Sequence, residues 1–371
     1  MTVVLSANTS WYLWNFRRHL IQTLLSEGYR VVLIVPEDDF TEKLRSLSVT
    51  LKVIQISGQG RNPLREIRLF CRYLRLLDRG AHCFLGFTIK PVLYGGVACR
   101  LLGIPSIPTI TGLGSVFIKE FWWQGLIEFA YRFALAASGV VVFQNSDDRD
   151  LFIGKKIVTR GQPKIVGGSG VDLEEFPLTP LPEFKDSGAP VRFLMVSRML
   201  IDKGVCEFID AARIVLERGR NATFLLVGPL DETNPGSVRK KVLDSAVREN
   251  VIENMPFQED MLSLLIACDC FVLPSYREGL PRSVLEAAAV GRPVITTDTA
   301  GCRRAVNHEE SGLICRPRDV ESLVDALEKM LEKTFHDRRQ MGIAGRRRVE
   351  HEFSVARVVQ DYQEEIRNLV A

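Results

Sequence analysis

The chain has 371 residues, 46% of them hydrophobic and 25% charged, with a formal net charge of +3. That length and balance describe a globular protein of two ordinary domains and exclude a disordered, fibrous or disulfide-stapled chain. The net charge hides a split: residues 1–170 hold 21 Lys and Arg against 12 Asp and Glu, and the remainder 27 against 33. A basic front half faces something anionic, whether nucleic acid, a membrane surface or a phosphorylated substrate. Met1 leads directly into Thr2–Ser6, which reads as a first strand and not as a signal peptide. The longest apolar stretch, Phe121 to Phe143, is broken by Glu128 and Arg132, so no transmembrane helix is predicted. Eight cysteines are scattered without a CxxC pair, which disfavours zinc and disulfide frameworks and fits a reducing cytosol.

In chain order, short apolar runs predict buried strands at Val3–Ser6, Val31–Val35, Leu51–Ile56, Cys83–Phe87, Ser106–Ile110 and Val140–Phe143. Helical patterns lie between them around Phe16–Leu25, Arg65–Leu77 and Leu126–Ala136. The rhythm breaks in a proline-rich stretch holding Pro177, Pro180, Pro182 and Pro190, so residues 171–190 read as a linker after a first domain of residues 1–170. Alternation restarts with strands at Val191–Val196, Thr223–Val227, Cys270–Leu273 and Pro293–Thr296. The tail from Val320 to Leu369 reads as helical, with Ser354 as a cap. Two α/β units with parallel sheets follow, and ligands of such sheets sit at the carboxyl ends of the strands.

Two constellations carry chemistry. Arg198 and Lys203 follow the strand ending at Val196, offering a guanidinium fork and an ammonium point charge that suit phosphate oxygens. A departing diphosphate gains charge as its bond breaks, and fixed cations stabilise that state above the ground state. The bland alternative is two surface cations near Asp202. Further on, Glu278-Gly279-Leu280-Pro281 turns into a helix predicted over Arg282–Val290. The amides near Ser283 and Val284 make an anion site, and Glu286 lies one turn in, matched to vicinal ribose hydroxyls. Ordinary helix-start acids account for one of these carboxylates but not for both around Gly-Leu-Pro.

These residues, with Val227-Gly228-Pro229, Phe271-Val272-Leu273-Pro274-Ser275 and Gly291-Arg292-Pro293-Val294-Ile295, resemble the GT-B retaining glycosyltransferases of family four along essentially the full length. The resemblance implies a GT-B fold: two Rossmann-like domains with parallel sheets facing across a cleft. The nucleotide-sugar-binding domain falls at residues 191–352, and a C-terminal helix, residues 353–371, crosses back to the first. It implies catalytic roles for Arg198, Lys203 and Glu278. Donor contacts are implied for Gly112, Gly114, Gly228, Phe257, Gly279, Leu280, Pro281, Ser283, Val284 and Glu286. Trp14-Asn15-Phe16-Arg17, Thr111-Gly112-Leu113-Gly114-Ser115, Asp231-Glu232 with Asn234-Pro235, and Thr299-Ala300-Gly301-Cys302 are similar to family members that extend lipid-linked oligosaccharides. The implied reaction moves N-acetylgalactosamine or a related hexosamine from a UDP-sugar to a polyprenyl-diphosphate-linked saccharide, without a metal or other cofactor.

The pattern also departs from the family. The first loop, Ala7-Asn8-Thr9-Ser10-Trp11, lacks the glycine pair of many members, and Thr109-Ile110-Thr111 stands where many carry a His-Asp step. No side-chain base is visible, which fits retention in which the leaving phosphate takes the acceptor proton. Asn8, Arg17 and His19 are assigned to the acceptor side, a solvated or packed histidine being the alternative for His19. Asp148-Arg149-Asp150 matches a metal-binding spacing, but Ser146-Asp147-Asp148 reads as a helix cap.

Two features point to a membrane surface. Arg65, Arg68, Arg72, Arg75 and Arg79 recur at spacings of 3 and 4, one helical face without an acid, against the alternative of a solvated face. Phe117, Phe121, Trp122 and Trp123 beside Lys119 make an interfacial anchor, or equally a buried helix start. The expected place is therefore cytoplasmic, peripheral on the inner face of the cell membrane, with an anionic membrane surface as a partner. No helix-turn-helix or aromatic strand pair supports nucleic acid. A UDP-sugar epimerase on the same scaffold and an inactive nucleotide-sugar-binding homologue remain alternatives.

Overall fold

The computed structural model describes residues 1–56, 63–113, 124–136, 138–181 and 188–370. The chain divides into two compact units, Met1–Gly170 with Val355–Ala371, and Val171–Ser354. Among the described residues the first unit holds a seven-stranded sheet, β1 (Thr2–Ser6), β2 (Arg30–Val35), β3 (Thr50–Val53), β4 (Cys83–Phe87), β5 (Ser106–Ile110), β6 (Val140–Phe143) and β7 (Gln162–Ile165), in spatial order β3-β2-β1-β4-β5-β6-β7. The second holds β8 (Val191–Val196), β9 (Ala222–Val227), β10 (Glu253–Met255), β11 (Cys270–Leu273), β12 (Val294–Thr297) and β13 (Gly312–Cys315), in order β10-β9-β8-β11-β12-β13. Every pairing in both sheets is parallel. Each sheet reverses its winding beside its first strand, the kind of switch point where open α/β sheets bind ligands.

The central strands are buried on both faces because they are Val, Leu, Ile and Phe runs covered by helices on each side. The strand expected at Leu51–Ile56 forms over Thr50–Val53, leaving Gln55 beyond its carboxyl end. β7 and β10 are short polar edges that the apolar pattern does not signal, and Pro163 sits on the β7 edge, where a missing amide costs no ladder bond.

Helix starts follow local capping. Thr9 accepts from the Tyr12 amide to open the helix Ser10–Ser26, and Asn145 accepts from the Asp148 amide to open Ser146–Gly154. The cap therefore falls one residue before the Ser146 expected from sequence, and Asp148 is buried against Asn145. The last helix, Val355–Val370, packs on the Ser10–Ser26 helix, burying Tyr362 and Ile366 in the first unit's core, with the Tyr362 hydroxyl 2.8 Å from Thr109.

The proline-rich stretch after Gly170 is tied down along its described length. Val171 and Phe176 are buried in the core of the second unit. Arg346 donates to the carbonyls of Phe176 and Ala289 at 2.8 and 2.9 Å, and Arg292 donates to that of Thr179 at 2.6 Å. Each such charged hydrogen bond contributes about 1.5–3 kcal/mol, which is why two buried arginines replace regular structure here. Among the described residues no helix is long and apolar enough to cross a membrane.

Candidate active site

In the second unit the loops after β8, β9, β11 and β12 converge at the carboxyl end of the sheet. The loop after β8 forms a 3-10 turn, Ile201–Lys203, and enters the helix Val205–Glu217 through Gly204, whose φ of 77° is left-handed. A Cβ on Gly204 would lie 2.1 Å from the Pro274 carbonyl oxygen, so only glycine lets these two loops touch. The contact is fastened by hydrogen bonds to the Asp202 carbonyl from the Tyr276 amide at 2.8 Å and the Ser275 hydroxyl at 3.1 Å. On the other flank the Ile201 amide donates to Gly236, the Val238 amide to Met199, and the Met199 amide to Pro229.

Gly228 follows β9 at a φ of 149°, where a Cβ would sit 1.8 Å from the Ser197 carbonyl oxygen. Gly301 repeats the device: its Cβ would meet the Gly279 and Glu278 carbonyl oxygens at 2.4 and 2.6 Å. Three glycines thus let four loops pack backbone to backbone, and the side chains they carry are held from behind.

This scaffold joins Lys203 to Glu278. The ammonium lies 2.5 Å from Glu278 Oε1, with both side chains largely buried. The sequence assigned them separate tasks, cation to phosphate and carboxylate to sugar, whereas the structure makes them an ion pair across 75 residues of chain. Arg198 is exposed at the same sheet end and has no side-chain partner among the described residues.

The helix Arg282–Val290 starts at Pro281, an extended residue without a side-chain cap. The amides of Ser283 and Val284 therefore have no capping oxygen, and the helix dipole adds to their pull on an anion. The Val284 side chain is buried in the core, so its contribution is confined to its backbone. Glu286 accepts from Arg282 Nε at 2.6 Å. Burial pushes its carboxyl above the usual range, opposed by the neighbouring Arg282 charge. Leu280 is half-buried against the core, and Phe257 lies beyond β10 at 58% exposure, an aromatic face open to solvent.

In the first unit Asn8, Thr88 and Gly112 stand just past the carboxyl ends of β1, β4 and β5. The Asn8 amide donates to Thr88 Oγ1 at 3.2 Å, while Asn8 Oδ1 is buried without a partner. Thr88 has a φ of 68°, a strained backbone for a β-branched residue, and Gly112 has a φ of 128°. His19 is half-buried on the first helix.

Arg17 is a correction. It is 2% exposed and belongs to the inner face made by Leu13, Leu20, Ile21 and Leu24. Its guanidinium stacks 4.4 Å from the Phe87 ring and donates to the Gly168 carbonyl at 3.2 Å. It braces the unit from inside and presents nothing to an acceptor or a membrane.

The arginine stripe is corrected in part. The helix runs Pro63–Leu76, so Arg79 falls beyond it. Arg65, Arg68 and Arg72 line a cavity of about 320 Å³ together with Gln55, Glu66, Leu69 and Lys90, whereas Arg75 does not. Glu66, Gln55 and Lys90 were not singled out from sequence; a lysine just past a strand's carboxyl end was the available signal for Lys90. Gly114, Phe117, Phe121, Trp122 and Trp123 lie outside the described residues. Among those described, no group of His, Cys, Asp and Glu is arranged to hold a metal ion.

Comparison with known proteins matches this architecture. The family description "Glycosyl transferase 4-like" covers residues 2–145, and "Glycosyl transferases group 1" covers residues 183–348. The chain is 28% identical over 338 residues to the N,N'-diacetylbacillosaminyl-diphospho-undecaprenol alpha-1,3-N-acetylgalactosaminyltransferase of Campylobacter jejuni, covering 86% of each chain. It is 25% identical to the UDP-Gal:alpha-D-GlcNAc-diphosphoundecaprenol alpha-1,3-galactosyltransferase of Escherichia coli, over 66% of this chain and 64% of the other. The glycosyltransferase of Rickettsia africae aligns with a TM-score of 0.78 over 100% of this chain and 98% of its own, at 16% identity. An Anabaena protein in complex with UDP-glucose gives a TM-score of 0.78 over 99% and 100%, at 17% identity. At those identities the structures speak to the fold alone. Two Rossmann-like units, each with its matching family description, and a relative spanning most of the length lead to one conclusion: the chain belongs to the GT-B glycosyltransferases of family four.

Proposed function

We propose that this glycosyltransferase moves N-acetylgalactosamine or a related hexosamine from a UDP-sugar to a polyprenyl-diphosphate-linked saccharide, retaining the anomeric configuration. The observation that carries the reading is the buried Lys203–Glu278 pair beside the uncapped start of the Arg282–Val290 helix. The Campylobacter relative, whose name specifies such an acceptor, supports the acceptor class, and the Escherichia relative supports UDP as the leaving group.

In this reading the donor diphosphate enters between Arg198, Lys203 and the Ser283 and Val284 amides. Glu286 accepts from the ribose hydroxyls, and Glu278 orients the sugar while holding the Lys203 ammonium in place. The bond from the sugar C1 to the diphosphate oxygen breaks, and the charge that develops on that oxygen meets preplaced cations and amides. The acceptor hydroxyl oxygen bonds to C1 from the same face, and its proton passes to the leaving diphosphate. Charge neutralisation comes from the chain itself, and the reading assigns no metal.

The acceptor side lies on the first unit, near Asn8, Thr88 and Gly112. Leu64, Ile67, Leu101, Leu126 and Phe129 are exposed on neighbouring helices of that unit, Leu64 and Leu126 at 71% and 70%. With Arg75 nearby in sequence, these apolar side chains support peripheral binding to an anionic membrane.

The test is a screen of UDP-sugars with a lipid-linked acceptor, read by product mass. A product heavier by one hexosamine residue is expected. Epimer formation from UDP-sugar alone would favour an epimerase, and no turnover of any donor would favour an inactive binding homologue.

A further inference from the structure

We propose that Tyr276 is a positioning residue for the Lys203–Glu278 pair: it holds the loop after β11 from three sides and so fixes Glu278 against the ammonium. Its effect on turnover rests on the function proposed above.

Tyr276 stands between Pro274 and Glu278 in that loop. Three parts of the residue each reach a different segment. The amide donates to the Asp202 carbonyl at 2.8 Å, directly before Lys203. The hydroxyl donates to Glu207 Oε1, in the first turn of the Val205–Glu217 helix that follows Lys203 and Gly204. The ring lies against the Arg318 guanidinium, whose central carbon is 4.7 Å from the ring centroid, and Arg318 follows β13. One side chain with its amide therefore joins the loops after β8, β11 and β13. Asp202 and Glu207 bracket Lys203, so the β8 loop is gripped on both sides of the backbone that carries the ammonium.

The contact is built and not incidental. An acid placed in a first turn for the helix dipole alone would turn to solvent, whereas Glu207 turns inward. Its Oε2 is buried without a partner, so the Tyr276 hydroxyl is what offsets the burial of this carboxylate. Burial and the Glu207 carboxylate push the Tyr276 phenol up, which keeps it protonated and donating at neutral pH. A hydroxyl bonded to a carboxylate is charge-assisted and geometrically demanding. On the far side of the ring, Arg318 holds a left-handed backbone with a φ of 59°, a conformation that side chains other than glycine's rarely take. Gly204 and Pro274 press the two loops together from behind. Tyr276 pins the stretch beyond that contact, where the loop goes on to Glu278.

The experiment measures initial rates of the full chain, with UDP-sugar and a lipid-linked saccharide, for the parent, Y276F, K203A and the double variant. Y276F is expected to lower kcat by about tenfold with both KM values within about twofold. In the K203A background the same change is expected to cost less than about twofold more, because a residue that acts through the ammonium then has nothing to position. E207Q keeps a carbonyl that accepts from the hydroxyl and is expected to stay within about threefold of the parent. E207A is expected to match Y276F, and it takes that variant's place in the cycle should Y276F not fold. An unchanged kcat in Y276F overturns the proposal. So does an equal loss with and without Lys203, which is the behaviour of a residue that only stabilises the fold. If the parent transfers no sugar, the functional reading fails separately, and the cycle is read by calorimetry with UDP, which carries the charge of the departed diphosphate. UDP binding that weakens in Y276F but not further in the K203A background supports the positioning role. Equal weakening in both backgrounds, no weakening, or no UDP binding by the parent overturns it.

Discussion

The two units share a parallel-sheet plan but use the carboxyl ends of their strands in opposite ways. In the second unit, the cation and carboxylate of the site are paired and partly buried, and glycines press their loops together. In the first, three arginines stand unpaired around an open hollow, beside exposed leucines and a phenylalanine. The difference teaches where each cost is met. A site that stabilises a transition state is assembled before substrate arrives. A surface that collects an anionic, greasy substrate, as proposed for the first unit, stays electrostatically unsatisfied until that substrate arrives.

The sharpest way to break the contrast is to unmake the ion pair. Lys203→Ala and Glu278→Ala are each expected to cut kcat by about 10²–10³-fold, with an unchanged circular dichroism spectrum. Because each leaves the other charge buried and unpaired, the double variant is expected to lose less than the sum of the two losses. Strict additivity would mean that the pair is not a unit. Next in size is Gly228→Ala, which drives a Cβ into the Ser197 carbonyl and is expected to destabilise the chain by about 3 kcal/mol in denaturant melts. A wild-type midpoint would show that the loops are not as tightly fitted as their geometry implies.

The first unit is probed by charge. Arg75→Glu is expected to weaken binding to anionic vesicles by about 1 kcal/mol for each unit of charge reversed, read by co-sedimentation and lost at high salt. The smallest effect concerns Glu286. Burial raises its carboxyl above the ordinary range, and in the proposed function ribose hydroxyls donate to the ionised form, so donor binding would favour loss of that proton. The donor KM is then expected to rise as pH falls toward the raised value, beginning above the pH at which an ordinary glutamate protonates. Glu286→Gln should flatten that acid limb while raising the KM at neutral pH.

Much of this was legible in the chain because the signals are local. Runs such as Val31–Val35 and Cys270–Leu273 are long enough and apolar enough to mark central strands, and Gly279-Leu280-Pro281 marks a helix start. The polar edges β7 and β10 were not legible, since an edge strand needs no apolar alternation. Arg17 was misread because charge ordinarily signals a surface, while its helical register with Leu13, Leu20 and Leu24 signalled the interior. Lys203 and Glu278 were each named, but their pairing depends on the Asp202 carbonyl holding two loops together. The hollow around Arg68 escaped notice because Gln55 and Lys90 come from segments other than its helix. Only the fold assembles them.

Pro281 carries a consequence for the unliganded chain. A serine or aspartate at that position would cap the Arg282–Val290 helix permanently; proline leaves the first-turn amides without a side-chain acceptor. Under the proposed function an incoming nucleotide would supply the oxygens that the residue withholds, so occupancy and local order would rise together. Under that function thermal resistance of this region would be linked to metabolite supply, since a ligand at a hundredfold excess over its Kd adds about 2.7 kcal/mol. A starved enzyme would, in that sense, be a softer one.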